Sequence, residues 1–196
     1  MTTFTKDSID MEKKTVRKRF LTWRKQLDPG LCSRFSYQAQ QQLIASAPFA
    51  RAGTLALYSP IHNEVATEQL FTAARKLNQR VYYPKVVGDE LEFIEVHKLD
   101  KLVSGAFGVA EPGMGKRATV TDLDLIVVPG VAFDLRGYRI GYGRGFYDRQ
   151  LAGKPAGSVT VGLCFEGQLC DGLPIEAHDQ TVDFIATERR FIPCHI

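Results

Sequence analysis

The chain has 196 residues, 44% of them hydrophobic and 24% charged, with a formal charge of +3. A single domain of that size buries roughly 70% of its unfolded surface, so no disulfide or structural metal is required. No apolar run approaches the ~18 residues that span a bilayer, no secretory signal pattern opens the chain, Cys32, Cys164, Cys170 and Cys194 form no CxxC pair, and the net charge implies no polyanion.

The expectation is a cytoplasmic protein with reduced thiols that binds neither membrane nor nucleic acid. Residues 1–10 are read as a flexible lead. Residues 13–25 hold seven basic side chains and no acid, with Val16, Phe20, Trp23 and Leu27 at helical spacing, which predicts a basic amphipathic helix. Asp28 and Pro29 cap a second helix that turns Leu31, Phe35, Ala39 and Leu43 inward. A strand is expected over 54–58, a turn at Ser59-Pro60 and a helix over 64–77 on Leu70, Phe71 and Ala74. The next strand, 80–83, is stopped by Pro84, and Gly88-Asp89 turns a hairpin whose second arm is 91–96.

Residues 99–121, glycine-rich and broken by Pro112, read as irregular loop. The apolar run 123–128 is a buried central strand, followed by a short apolar piece at 131–133, a glycine-dense loop, a helix over 146–151 and strands over 159–164 and 183–186. Strands alternating with helices predict an α/β fold: an open, largely parallel sheet with flanking helices in a single domain, binding ligands at the carboxyl ends of its strands.

The chemistry concentrates in Gly141-Tyr142-Gly143-Arg144-Gly145-Phe146-Tyr147-Asp148, between a strand region and a helix. Backbone N–H groups converge on a phosphate only where no Cβ blocks the approach and φ can turn positive, and a following helix adds its own free N–H groups. Arg139 and Arg144 would add positive charge, and Asp148 suits Mg²⁺, a hard ion that takes oxygen ligands. The loop fits neither common nucleotide fingerprint: Phe146 stands where a dinucleotide-binding loop needs glycine, and Gly-Lys-Ser/Thr is absent.

The run Pro129-Gly130-Val131-Ala132-Phe133-Asp134, then Gly137, then Arg139-Ile140 and the glycine loop through Arg149, resembles the signature of the 5-formyltetrahydrofolate cyclo-ligase family. Weaker matches extend along the chain at Lys13 and Arg17, Tyr58 to Glu64 with Thr67, Phe107-Gly108 with Glu111-Pro112, Leu173-Pro174, His178-Asp179 and Asp183. The resemblance implies ATP-dependent closure of 5-formyltetrahydrofolate to 5,10-methenyltetrahydrofolate, with phosphorylation of the formyl oxygen and release of ADP and phosphate. The partners it implies are ATP, Mg²⁺ and a reduced folate, and a monomer is expected.

Roles follow from that resemblance. Lys13 and Arg17, one helical turn apart, would contact the ATP phosphates, together with Arg139, Ile140, Gly141, Tyr142, Gly143, Arg144, Gly145, Phe146 and Tyr147. Lys13 and Arg144 are the catalytic candidates, and Lys14, Lys18, Arg19 and Lys25 are read as a solvated face. Glu64 would hydrogen-bond the pterin, with Tyr58, Phe107, Tyr142 and Phe146 as aromatic walls. Asp148 and Asp179 are the metal candidates, with Asp183 as a structural competitor. Two other readings stand beside this one: a nucleic-acid-binding module built on the basic helix, and an α/β enzyme of a sugar phosphate or coenzyme A ester.

Overall fold

The structure, a computed structural model, describes residues 6–194; residues 1–5 of the expected lead and His195 lie outside it. Helix α1 (Lys6–Lys25) starts earlier than the basic segment, so residues 6–10 are helical rather than a loose lead. Phe20, with Val16 and Leu21 beside it, packs on Val131, Ala132, Ile140 and Leu173, while Lys14, Lys18, Arg19 and Lys25 face solvent as expected.

Asp28 caps α2 (Pro29–Ile44) by accepting the Leu31 N–H at 3.0 Å. The inward stripe of α2 is Ser36, Ala39, Gln40 and Leu43, whereas Leu31, expected inside, is exposed. A further short helix, α3 (Ala47–Arg51), begins at a Ser46 cap. After β1 (Thr54–Ala56), α4 (Glu68–Lys76) begins four residues later than its apolar pattern suggested. The buried Gln40 carbonyl of α2 accepts the Gln69 N–H at 2.9 Å, filling the role that a capping side chain would play for α4.

Strand β2 (Arg80–Val87) runs through Pro84 instead of ending there, paired antiparallel with β3 (Glu90–Glu95). The backbone alternation explains why: the Val81 carbonyl faces β3, whereas the Tyr82 carbonyl and the Val86 N–H face the other way. Pro84 is in register with the second set, so its missing N–H falls on the side away from β3. The region read as irregular carries three short strands, β4 (Leu102–Ser104), β5 (Ala110–Pro112) and β6 (Arg117–Ala118). Strands of two or three residues between glycines leave no periodicity to read.

The remaining elements are β7 (Leu125–Val128), the β8 (Ala132–Asp134) and β9 (Arg139–Ile140) hairpin, α5 (Phe146–Leu151), β10 (Val159–Leu163), β11 (Leu169–Cys170), β12 (Phe184–Ala186) and β13 (Phe191–Pro193). The main sheet runs β13-β12-β10-β7-β1-β2-β3-β6, parallel from β12 to β2 and antiparallel at both edges. This is the open, largely parallel α/β architecture expected.

Alternate residues of the central strands build two cores. Leu55, Val81, Leu125, Val127 and Val161 meet Leu43, Leu70 and Ala74 on one face; Ala56, Tyr82, Ile126, Val128 and Ile185 meet Phe133 and Leu151 on the other. Each Val, Leu, Ile or Phe among them contributes about 1.5–3 kcal/mol through burial. At the amino ends, Asp124 ties β7 to Thr54, and Asp183 accepts the Thr160 N–H and hydroxyl, both at 2.7 Å. Asp183 is therefore structural and sits opposite the sheet's ligand-binding end. Chain order reverses between β1, which leads to β2, and β7, which leads to β10, so a crevice opens beyond the carboxyl ends of β1 and β7.

Candidate active site

A cleft of about 660 Å³ occupies that crevice. It is walled by the loop after β1, by Pro129-Gly130 after β7, by the glycine loop 141–145, by α1 and by the segment carrying Glu176 and Asp179. Nearly every candidate named from sequence reaches it, although with different parts of the residue.

Two glycines of the loop have φ values that side chains avoid, Gly143 at +96° and Gly145 at +66°, whereas Gly141 does not. Gly145 leads into α5, which is only six residues long, so its dipole adds little to the anion-binding character of the loop. Positive charge comes instead from α1. Arg17 donates to the Gly141 carbonyl at 2.8 Å, and its guanidinium lies about 3.5 Å from where a Gly143 Cβ would sit. A glycine loop with no Cβ to block an approaching anion and a fixed arginine thus stand side by side, an arrangement suited to phosphate.

Lys13, one turn earlier, is held by Asp179 at 2.6 Å and Glu176 at 2.8 Å. Burial alone would lower its pKa, but the two carboxylates outweigh that and raise it; the same contact with Lys13 lowers the pKa of Glu176. Its ammonium is spoken for, so reaching a phosphate requires it to leave them. Arg139 is buried, which lowers its pKa against the pull of Asp148; it donates to Asp148 at 2.9 Å and to the Gln180 carbonyl at 2.7 Å. Asp148 and Asp179 both act on this guanidinium. Glu176, His178 and Asp179 bring possible ligand atoms within 4.8 Å of one another, and Glu176 is a member that sequence reading missed.

Toward the switch point the cleft is deeper. Arg24 is 1% exposed and donates to the His62 carbonyl at 2.9 Å, the Gly130 carbonyl at 3.2 Å and the Tyr142 hydroxyl, with Glu64 3.9 Å away. One side chain therefore ties the β1 loop, the β7 loop and the glycine loop together. Its sequence signal was its place four residues after Phe20, on the buried side of α1, rather than its charge. Glu64, 7% exposed, accepts the Ile61 N–H at 3.0 Å and the Tyr142 hydroxyl at 3.1 Å. Burial pushes its carboxyl up to about 7 despite Arg24 and these two donors.

The aromatic candidates divide. Tyr142 lines the cleft, its phenol pKa raised by burial and by the charge of Glu64. Phe107 and Phe146 stand at the mouth with ring centroids 6.4 Å apart, and the Arg144 guanidinium lies 4.7 Å over Phe107, so Arg144 caps an aromatic edge. Tyr58 is almost wholly buried and donates to the Val65 carbonyl at 2.7 Å, making it floor rather than wall. Ile140 and Tyr147 also line the cleft while packing against the apolar cores, Ile140 with Phe20 and Val131 and Tyr147 beside the cluster of Phe133 and Leu151.

A family model described as the 5-formyltetrahydrofolate cyclo-ligase family matches residues 9–188. The 5-formyltetrahydrofolate cyclo-ligase of Mycoplasma pneumoniae is 31% identical over 181 residues, covering 91% of this chain and 99% of that one. The Escherichia coli K12 enzyme of the same name is 29% identical over 170 residues, covering 84% and 93%. The solved structure of Aquifex aeolicus 5,10-methenyltetrahydrofolate synthetase superposes with a TM-score of 0.84 at 37% identity, over 94% of this chain and 93% of that one.

Proposed function

The chain belongs to the 5-formyltetrahydrofolate cyclo-ligase family and is an enzyme of that type, and from that premise we propose that it couples ATP to the closure of 5-formyltetrahydrofolate into the 5,10-methenyl compound. The observation that carries this reading is a cleft holding two unlike groups: the glycine loop with Arg17 on it, and a buried carboxylate with Tyr142. A formamide oxygen is a poor leaving group. Transfer of the γ-phosphoryl group to it forms a P–O bond and releases ADP; N10 then bonds to the activated carbon and gives up its proton to solvent, and phosphate departs with the C–O pair.

What this chain supplies is positioning and charge. The glycine loop and Arg17 hold the phosphates, joined by Lys13 once it leaves Asp179 and Glu176. Glu64, in its ionised form, accepts N–H groups of the pterin, while Arg24 fixes Tyr142 and the walls on either side. Phe107 and Phe146, with Arg144 on the Phe107 face, limit water at the mouth. The oxygen donors at Asp179 and Glu176, with Asp148 nearby on Arg139, fit a hard divalent ion. Mg²⁺ held there would neutralise charge on the phosphates.

The test is absorbance in the methenyl-folate band with purified protein, 5-formyltetrahydrofolate, ATP and Mg²⁺. A rise that requires both ATP and Mg²⁺ is expected; no rise from folded protein would overturn the reading.

A further inference from the structure

Three carboxylates are buried among the described residues: Glu64, Asp134 and Glu111. Asp134 is fully satisfied, by the Arg136 guanidinium and the backbone N–H groups of Arg136, Tyr138 and Leu173. Glu64 has Ile61, Tyr142 and Arg24. Glu111, only 6% exposed, has one hydrogen bond among the described residues, from the Val86 N–H at 3.3 Å, and no ion pair. Its second oxygen is not sealed inside the protein, since Gln79 Oε1 is the fully buried side-chain atom without a partner among the described residues, so this carboxylate keeps room for a further donor on the cleft side.

Its surroundings hold it in place nonetheless. The Ser59 hydroxyl donates to the Ala110 carbonyl, fastening β5 to the loop that follows β1. Gly105 leaves the room that the carboxylate fills: a Cβ there would stand 2.3 Å from the Glu111 carboxyl carbon. Glu111 lines the same cleft as Glu64, on the wall formed by Val86, Val109 and Phe107. Asp134, the satisfied one, does not line it.

We infer that Glu111 is a second substrate-binding carboxylate, whose missing partners are N–H groups of the reduced folate. This rests on the cyclo-ligase reading above. Phosphate is excluded as its partner because like charges repel, and the cations that suit phosphate gather around the glycine loop. A reduced folate carries N–H donors beyond the pair that one carboxylate can accept, so Glu64 and Glu111 would hold it at two places and fix how it lies in the cleft.

The discriminating variant is Glu111→Gln, which keeps the shape and removes the charge. Titration calorimetry with 5-formyltetrahydrofolate in the absence of ATP should show binding weakened about 10- to 100-fold, the effect of losing a charge-assisted hydrogen bond. The KM for ATP should be unchanged. The melting temperature should stay level, because the glutamine keeps the shape and can still accept the Val86 N–H. Unchanged folate binding would overturn the inference, and so would weakened binding accompanied by a lowered melting temperature, the mark of a structural role. Wild-type protein that makes no methenyl product would instead remove the cyclo-ligase reading on which the inference rests.

Discussion

Glu64 should make the fold less stable as the solution becomes more basic. Its carboxyl titrates near 7 in the folded protein, against an ordinary value of 4.5, because burial penalises the charged form. Between those values the folded chain holds a proton that the unfolded chain releases. The contribution is fully present below pH 4.5 and is lost as pH rises through about 7, amounting to about 3 kcal/mol. Urea unfolding from about pH 5 to about pH 8.5, on wild type and Glu64→Gln, isolates it. The glutamine still accepts the Ile61 N–H but cannot ionise, so the stability of the variant relative to wild type should climb by about 2.5 kcal/mol across that window, the remainder having been lost below pH 5. A constant difference would refute the reasoning and mean that Arg24 keeps Glu64 ionised throughout. Folate affinity should move the opposite way, rising through the same window, since only the ionised form accepts from two N–H groups.

Arg24→Met removes the donors to His62, Gly130 and Tyr142 and leaves Glu64 without its cation; urea unfolding should show a loss of about 3–5 kcal/mol, which Arg24→Lys recovers only in part. Gly143→Ala finds ordinary contact distance to Arg17 but must hold φ at +96°, costing about 1–2 kcal/mol in stability, and steady-state kinetics should show a raised KM for ATP with little change for the folate. Arg17→Ala should raise the KM for ATP far more than that for the folate, and Glu64→Ala the reverse; equal effects on both substrates would sink that division of the cleft.

The sequence made the parallel core legible because its strands are fully buried and therefore read as continuous apolar runs, as at Leu125 to Val128. Short elements escaped. The strands between Leu102 and Ala118 are too brief and too broken by glycine to show a period, and Pro84 looked like a stop because a strand's two hydrogen-bonding sides cannot be told apart from composition. At the site, the glycine loop was legible because its residue types are demanded by backbone conformation at Gly143 and Gly145. Arg24 and Glu111 were not, since a charge looks the same in a sequence whether it faces water or is buried among carbonyls. The packing of Ile140 and Tyr147 against the cores was hidden for a related reason: a place in a glycine-rich loop says nothing about which way a side chain turns.

Three cations of the cleft, Arg17, Arg139 and Lys13, already have protein partners, and this shapes how a triphosphate would enter. Arg17 rests on a carbonyl, Arg139 on Asp148, and Lys13 between Asp179 and Glu176. Were these groups free, repulsion among three cations on one side would work against the fold before any ligand arrived. As they stand, binding is an exchange. On the proposed reading, Lys13 gives up two carboxylates for a phosphate, and the same movement frees those oxygens for a divalent ion. The two events favour one another: a phosphate that draws Lys13 away unmasks the acids, and a cation on the acids releases Lys13. On that reading the pairing holds the site together before any ligand arrives and would tie nucleotide binding to metal binding through a single side chain.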